Sequence, residues 1–313
     1  MRINYKSIAL LSTAIGMLML YGCSKNEAVA PDSDEVVPHH VYGVLPATPD
    51  MYANVPTYSA ANFQNKLDVN SVTPPPASWT LVNPAVRDQG QIGSCTAFCG
   101  AEAYEIGYYY KHANTFPAVV SPAFIYYEER VNILHQSISA DQGAYMVDIG
   151  QSLQTYGVCP ESMYTYPTGD KTTAYKTPPG AAAISAALGY KVTGNTLINS
   201  GDVAAVKNLL LNNIPVMMGL NIYDNAQYKY FEGLNTTSYT YNPLAANGSL
   251  AKGVHLLGGH ATPIIGYDDN RQAFLVQNSW GTSWGNHGFY YMPYSVFMST
   301  KVVPAGGVYY LTL

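Results

Sequence analysis

The chain has 313 residues, of which 48% are hydrophobic and 11% are charged, so it can bury a large core. Its net charge of −5 and the absence of a basic run argue against a nucleic acid as partner.

The first residues predict an export signal. Arg2 and Lys6 precede an apolar stretch of 14 residues, from Ile8 to Tyr21. As a helix at about 1.5 Å per residue this stretch would reach about 21 Å, short of the roughly 30 Å apolar core of a bilayer. Residues 1–22 are therefore interpreted as a signal peptide and not as a membrane-spanning helix.

The end of this signal resembles a bacterial lipobox, with the residues Leu20-Tyr21-Gly22-Cys23-Ser24. The resemblance implies that Cys23 is acylated and becomes the new N-terminus. The lipid would then anchor an exported lipoprotein in a membrane of the cell envelope, facing the periplasm or the cell exterior. An ordinary secretory peptide that happens to contain a cysteine is the alternative.

Residues 23–78 are interpreted as a tether, because prolines recur through them and end in the run Pro74-Pro75-Pro76. No long amphipathic helix is visible in this region, so a spacer that holds the following domain off the membrane is the simpler hypothesis. A short segment that lies across the cleft of that domain remains the alternative.

Residues 79–313 predict an α+β domain, with a helical lobe over about 85–190 and a β lobe over about 191–313. Ser121 and Pro122 are typical of an N-cap and a first helical residue, and Asp202 could cap a later helix. The polar stretch from Lys229 to Lys252 predicts an inserted surface loop. The predicted helices span 94–113, 121–130, 145–155 and 202–213, and the predicted strands span 216–222, 262–267, 273–277 and 289–292.

The stretch from Arg87 to Phe98 contains a candidate nucleophile. Cys95 follows a glycine-rich turn and opens an apolar, helix-like run. The unpaired N–H groups and partial positive charge of a helix N-terminus favour a thiolate over a thiol. They supply about 1–2 kcal/mol, whereas a pKa near 4 needs roughly 6 kcal/mol, so a cationic partner is required. His260, flanked by two small residues before a predicted strand, is the best candidate for that partner.

The order Gln89, Cys95, His260, Asn278 and the residues around them resemble the papain-like cysteine peptidases. The resemblance implies a two-lobed fold, in which a helical N-terminal lobe packs on an antiparallel, β-barrel-like C-terminal lobe. It also implies cleavage of internal peptide bonds in a peptide or protein substrate, with no cofactor or metal. The motifs that carry it are 89–98, 260–267, Asn278-Ser279-Trp280-Gly281-Thr282-Ser283-Trp284-Gly285 and Gly288-Phe289-Tyr290.

The resemblance implies a role for each of these side chains. Cys95 is the nucleophile, and His260 is its acid–base partner. Asn278 orients the imidazole, and Trp280 shields that contact from water. The side-chain amide of Gln89 joins the backbone N–H of Cys95 in the oxyanion hole.

Other positions differ from the family or carry less specific signals. Gly143 resembles a substrate-binding glycine whose backbone pairs with the substrate as an extended strand. Thr96 stands where tryptophan usually follows the nucleophile, and Ile92 stands where familiar members have a disulfide cysteine. The cysteines Cys99 and Cys159 could pair in an oxidising setting or remain two buried free thiols.

Alternative functions fit parts of this pattern. The same site could serve an aminopeptidase or a peptide-bond transferase, or a surface-binding protein could retain the fold without turnover. The intact set of four polar residues argues against the last alternative. A zinc site made of Cys95-x3-Cys99 and His255-x4-His260 is disfavoured, because 155 residues separate the two pairs.

Overall fold

The computed structural model describes residues 40–61, 75–167, 174–225 and 230–313. The predicted signal peptide and Cys23 lie outside the described residues. In the described part of the chain the helices are α1 (Pro49–Tyr52), α2 (Cys95–Lys111), α3 (Pro122–Tyr127), a π-helix (Glu128–Ile133), α4 (Met146–Thr155), a 3₁₀ turn (Ala174–Lys176), α5 (Ala181–Ala187), α6 (Val203–Leu211) and α7 (Tyr294–Phe297).

The β lobe is built on one antiparallel sheet. The order across it is β2-β7-β3-β4-β5-β6, and β1 pairs with the end of β4. The long strand β4 pairs with β3 from His255 to Ile264, so His260 lies opposite Leu220 in the middle of the sheet. The strands in the described residues are β1 (Ser78–Thr80), β2 (Gly194–Leu197), β3 (Val216–Asp224), β4 (His255–Asp268), β5 (Ala273–Gln277), β6 (Phe289–Pro293) and β7 (Val308–Thr312).

Two hydrophobic cores correspond to the two lobes. One lies in the β lobe and includes Leu209, Ile264 and Phe274, whereas the other surrounds α2 and includes Phe98 and Ile149. Every residue from 95 to 106 of α2 is buried. This helix has no solvent-facing stripe over three turns, as is expected of a helix in the centre of a molecule. The predicted α+β class and the two-lobed arrangement are confirmed.

The capping residues predicted from the sequence form cap hydrogen bonds at the starts of their helices. The Ser121 hydroxyl accepts a hydrogen bond from the N–H of Phe124 at 3.1 Å, and the Asp202 carboxylate accepts one from Ala205 at 2.9 Å. The four predicted helices and four predicted strands are present, although α3 passes into a π-helix before residue 130. Strands β1, β2 and β7 were missed because they are short or lie at the ends of the domain.

The stretch from Lys229 to Lys252 is more than a surface loop. Within its described part, residues 230–252, the side chains of Phe231 and Tyr241 are fully buried in the core of the β lobe. The surface-loop prediction is wrong for these residues, because single aromatic side chains can attach a polar loop to a core without producing a periodic pattern.

Part of the predicted tether lies against the domain at two places. Residues 40–48, here called the cleft segment, run between the lobes, where the N–H of Val44 donates to the carbonyl of Gly259 at 2.9 Å. Further along, Leu197 of β2 accepts from the N–H of Tyr58 at 2.7 Å and donates to the carbonyl of Pro56 at 2.8 Å. For residues 40–61 the structure therefore matches the alternative of a segment across the cleft.

Candidate active site

Cys95 is the first residue of α2 and is fully buried. The hydroxyl of Ser94, at the N-cap position, is bonded to the hydroxyl of Tyr166 at 2.6 Å and makes no cap bond to the helix. The first N–H groups of α2 are therefore left for another acceptor. The preceding turn is fixed by Gly93, whose N–H donates to the Asp141 carboxylate at 3.1 Å.

His260 is fully buried on β4, and its ring Nε2 lies 2.7 Å from Oδ1 of Asn278. The N–H of Ser279 donates to the same atom at 2.8 Å, which identifies it as the amide oxygen. An oxygen can only accept, so Nε2 carries the hydrogen. Among the described residues Nδ1 of His260 has no hydrogen-bond partner, and this nitrogen remains available to a thiol.

The sulfur of Cys95 lies close to the strand that carries His260. The backbone N–H of Ala261, the residue after His260, is directed at the sulfur, as is the N–H of Thr96. His255, the other histidine of β4, is exposed at the first residue of the strand. The structure thus places His260 in contact with Asn278 and the residue after His260 against Cys95, and leaves His255 outside.

An aromatic wall covers the bond between His260 and Asn278. Trp280 is 3% exposed, and its ring centroid lies 5.0 Å from that of His260. Phe231 packs against both rings, at 5.1 Å from Trp280 and 5.8 Å from His260. The wall keeps water from the hydrogen bond, as expected for Trp280. Phe231 was missed because it lies in the polar insertion.

The side-chain amide of Gln89 is held in one orientation. Its Oε1 accepts from the hydroxyl of Ser279 at 2.7 Å. Its Nε2 donates to the carbonyls of Ile92 at 3.0 Å and Val41 at 3.1 Å. Because the carbonyl of Val41, in the cleft segment, is a peptide oxygen, Gln89 is positioned to donate to a peptide oxygen in the cleft.

Gly143 was predicted to pair its backbone with a chain in the cleft. In the structure Ala144, one residue later, pairs with the cleft segment. The N–H of Ala144 donates to the carbonyl of Gly43, and its carbonyl accepts from Leu45, both at 2.9 Å. The N–H of Gly143 is instead bonded to the hydroxyl of Tyr126. Gly143 remains necessary, because at its φ of +75° an added Cβ would lie 2.0 Å from the carbonyl oxygen of Gly43.

The cleft segment covers the site. The backbone N–H of Gly43 is directed at the sulfur of Cys95, and the ring of His40 stacks on Trp280 with 3.7 Å between centroids. Tyr42 meets His260 edge-on at 6.0 Å. A cavity of about 660 Å³ lies along the segment, lined also by residues of β3, β4 and 304–307.

Burial keeps the two reacting groups neutral in this covered form. Removal from water raises the pKa of Cys95 to about 11, against the smaller opposing effect of the N–H groups of Gly43 and Ala261. Burial also lowers the pKa of His260 to about 4, although the bond to Asn278 opposes this shift. Burial in this covered form therefore opposes the expected thiolate–imidazolium pair.

A buried carboxyl group also lies near the nucleophile. Thr96 donates from its hydroxyl to Oε2 of Glu129 at 2.7 Å, and both side chains are fully buried. Burial raises the pKa of Glu129 well above its ordinary value. Thr96 stands where tryptophan usually follows this cysteine. The site is therefore filled here by a hydrogen-bonded pair, Thr96 and Glu129.

The disulfide alternative is not what the structure shows. Cys99 and Cys159 are both buried free thiols. Cys99 belongs to the core around α2, whereas Cys159 packs with Phe124 in a separate small cluster.

Within the described ranges no group of three or more histidine, cysteine, aspartate or glutamate residues could hold a metal ion. No helix of these ranges is long and apolar enough to cross a membrane.

A buried thiol at the start of a helix and an imidazole that an asparagine orients are the groups used by the thiol proteases. The model of the Papain family cysteine protease family matches residues 77–302, and the chain belongs to this family.

Individual relatives agree with this assignment. The chain is 32% identical over 215 residues to an uncharacterized peptidase C1-like protein of Acanthamoeba polyphaga mimivirus, covering 66% of this chain and 63% of that protein. It is 24% identical over 213 residues to Cathepsin B-like CP2 of Giardia intestinalis, covering 67% and 64%. It thus spans less than two thirds of these curated relatives. The crystal structure of Xylellain, a cysteine protease from Xylella fastidiosa, matches with a TM-score of 0.70 and 26% identity, covering 89% of this chain and 99% of that one.

Proposed function

We propose that this protein is a cysteine-type endopeptidase in which Cys95 attacks a peptide carbonyl carbon. The observation that carries the proposal is the bond between Nε2 of His260 and Oδ1 of Asn278. Because this bond engages Nε2, Nδ1 is the ring nitrogen of His260 that can exchange a proton with the thiol of Cys95 on α2.

The reaction follows from this arrangement. His260 takes the proton of Cys95, and the thiolate forms a bond to the carbonyl carbon, whose oxygen becomes an oxyanion. The side-chain amide of Gln89 and the backbone N–H of Cys95 stabilise that charge. His260 then gives its proton to the leaving amine, which departs and leaves an acyl-enzyme. Water, deprotonated by His260, attacks the acyl-enzyme and releases the acid and the thiol.

The covered form is proposed to be an inactive precursor. The cleft segment occupies the donor Nε2 of Gln89 through Val41, and Gly43 lies at the sulfur. Departure of the segment would return water to Cys95 and His260, so the burial that opposes the ion pair would decrease. The two groups could then share one proton as thiolate and imidazolium.

The proposed location is a membrane of the bacterial cell envelope, with the protein attached through lipid on Cys23. The support is the short apolar stretch followed by Leu20-Tyr21-Gly22-Cys23. Detergent partitioning of the wild type and of Cys23→Ser tests this location. Equal release of both proteins into the aqueous phase would contradict it.

The activity is tested with a peptide blocked at both ends, with and without a thiol reductant. An endopeptidase cuts such a peptide internally, whereas an aminopeptidase needs a free amino end. We expect Cys95→Ala to abolish cleavage, because a methyl group cannot act as nucleophile. Cys99→Ala is the matched control, since it removes a buried thiol one turn further along α2 and should keep activity. Cleavage by a folded Cys95→Ala protein would refute the mechanism.

A further inference from the structure

Glu232 is held rigidly at the edge of the cleft. Its N–H donates to Oδ2 of the buried Asp224 at 2.9 Å, and the N–H of Phe231 donates to the same oxygen at 3.3 Å. Because Phe231 is locked between Trp280 and the core, the backbone that carries Glu232 has little freedom. A carboxylate on such a base presents its oxygens in a fixed direction.

Both oxygens of Glu232 receive donors from the chain that lies in the cleft. Nδ1 of His40 lies 2.8 Å from Oε2, and the hydroxyl of Tyr42 donates to Oε1 at 2.5 Å. Side chains two residues apart on an extended chain point to the same side, so one carboxylate can receive both. The side chain of Glu232 is only 2% exposed in this arrangement. The pKa of Tyr42 is raised mainly by burial and secondly by the negative charge of Glu232, so its phenol stays protonated and donates the hydrogen bond.

The same carboxylate lies close to the reaction centre. The chain in the cleft passes the sulfur of Cys95 at Gly43, and His40 lies beyond it on Trp280. The negative charge of Glu232 raises the pKa of His260, against the larger opposite effect of burial. A peptide chain in the cleft that reaches Trp280 therefore passes Glu232 within a few residues of the peptide bond that faces Cys95.

We propose that Glu232 is a specificity-determining residue, which selects peptide chains with hydrogen-bond-donating side chains at alternate positions on the Trp280 side of Cys95. The inference rests on the proposed peptidase function. Cationic side chains are the preferred class, because charge-assisted hydrogen bonds to a carboxylate are about twice as strong as neutral ones. Acidic side chains are disfavoured by repulsion. The cleft segment uses the same contact through His40 and Tyr42.

The first experiment measures kcat/KM with doubly blocked peptides that carry arginine, tyrosine, alanine or glutamate at each position on either side of the cleaved bond. In the full-length wild type we expect arginine and tyrosine to be favoured over alanine at two positions on one side. Glu232→Gln should lower the preference for arginine, measured as the ratio of kcat/KM for the arginine and alanine peptides, about tenfold or more. Asp268→Asn, which removes a carboxylate at the turn after β4, is the control and should keep the preference.

The second experiment needs no catalysis. In the full-length Cys95→Ala protein, hydrogen exchange at the amide of Val44 reports departure of the cleft segment. We expect Tyr42→Phe and Glu232→Gln each to accelerate this exchange about fivefold, and the double variant to be no faster than the faster single variant. Asp268→Asn should leave the rate unchanged.

The outcomes separate the inference from the proposed function. If exchange in the Cys95→Ala protein responds to Glu232→Gln while the wild type cuts no peptide, recognition by Glu232 is supported and the peptidase is refuted. Cleavage without any preference that depends on Glu232 would overturn the inference and leave the peptidase standing. Exchange at Val44 that is indifferent to Glu232→Gln would also overturn it.

Discussion

Adding one methyl group to Gly43 should uncover the active site. A Cβ at this residue would lie 1.9 Å from the carbonyl oxygen of Gly93 and 2.4 Å from its carbonyl carbon. Both are backbone atoms of the turn before the nucleophile, so no side-chain rotation can relieve the clash. The two backbones would have to separate by more than about 1 Å to reach ordinary van der Waals contact.

Such a movement is large compared with the range of a hydrogen bond. The cleft segment is held near Gly43 by three backbone hydrogen bonds of 2.9 Å, made by Val44 with Gly259 and by Gly43 and Leu45 with Ala144. Each contributes about 1 kcal/mol net. Loss of all three would cost about 3 kcal/mol, which shifts the balance between covered and open forms more than about a hundredfold.

The assay is the rate at which iodoacetamide alkylates Cys95, read by peptide mapping so that the other cysteines do not interfere. When opening is fast, this rate follows the open population, and we expect Gly43→Ala to raise it about a hundredfold. Gly180→Ala is the control, because a Cβ there meets nothing within 4 Å. Equal rates in the two variants would refute the argument that these contacts hold the segment in the cleft.

Three further outcomes are expected. In the full-length Cys95→Ala protein, which has no thiol to share the proton, the covered form should lose stability below about pH 6.5, because covering lowers the pKa of His260 from 6.5 to about 4. In that variant, acid below pH 6.5 favours opening by protonating His260, at most by roughly 3 kcal/mol. Exchange at Val44, corrected for its intrinsic rate, measures this effect. Glu102→Gln should raise the melting temperature at pH 8 more than at pH 4.5, because burial raises the pKa of Glu102 to about 8. As the pH rises from 4.5 to 8, this carboxyl ionises in the unfolded chain but stays protonated in the folded protein, so the free energy of unfolding falls by up to roughly 5 kcal/mol. An equal effect of Glu102→Gln on the melting temperature at both pH values would contradict the burial argument. Asn278→Ala should lower kcat more than it raises KM, because it frees the ring of His260 without touching the substrate, and the reverse pattern would assign Asn278 to binding.

The sequence was sufficient wherever the determining interactions are local. The caps at Ser121 and Asp202 are set by a side chain and an N–H three residues later. The assignments of Cys95 and His260 rest on short motifs whose small neighbours permit close packing. The structure places the N–H of Ala261, the residue after His260, at the sulfur of Cys95, and the catalytic roles of Cys95 and His260 stay a prediction.

Non-local contacts explain what the sequence did not reveal. Strand β7 pairs with β2, more than a hundred residues earlier, and a short strand at the end of the chain has no local signal that names its partner. Glu232 and Tyr42 meet across 190 residues, so neither could be recognised alone. The pairing role of Gly143 was displaced to Ala144, because which backbone groups are available depends on Tyr126 and Gln136, which take the hydrogen bonds of Gly143.

The second attachment of residues 40–61, at Leu197, keeps the proposed inhibitory segment close to the cleft. While Pro56 and Tyr58 stay on β2, a segment that leaves the cleft remains within a few residues of it. Short linkers of this kind give effective concentrations in the millimolar range, so dilution would not keep the enzyme open, whereas a cut in the chain would. Any cut between this attachment and the domain would also sever the connection to Cys23. In a lipid-anchored protein, activation would then release the enzyme from the membrane in the same step.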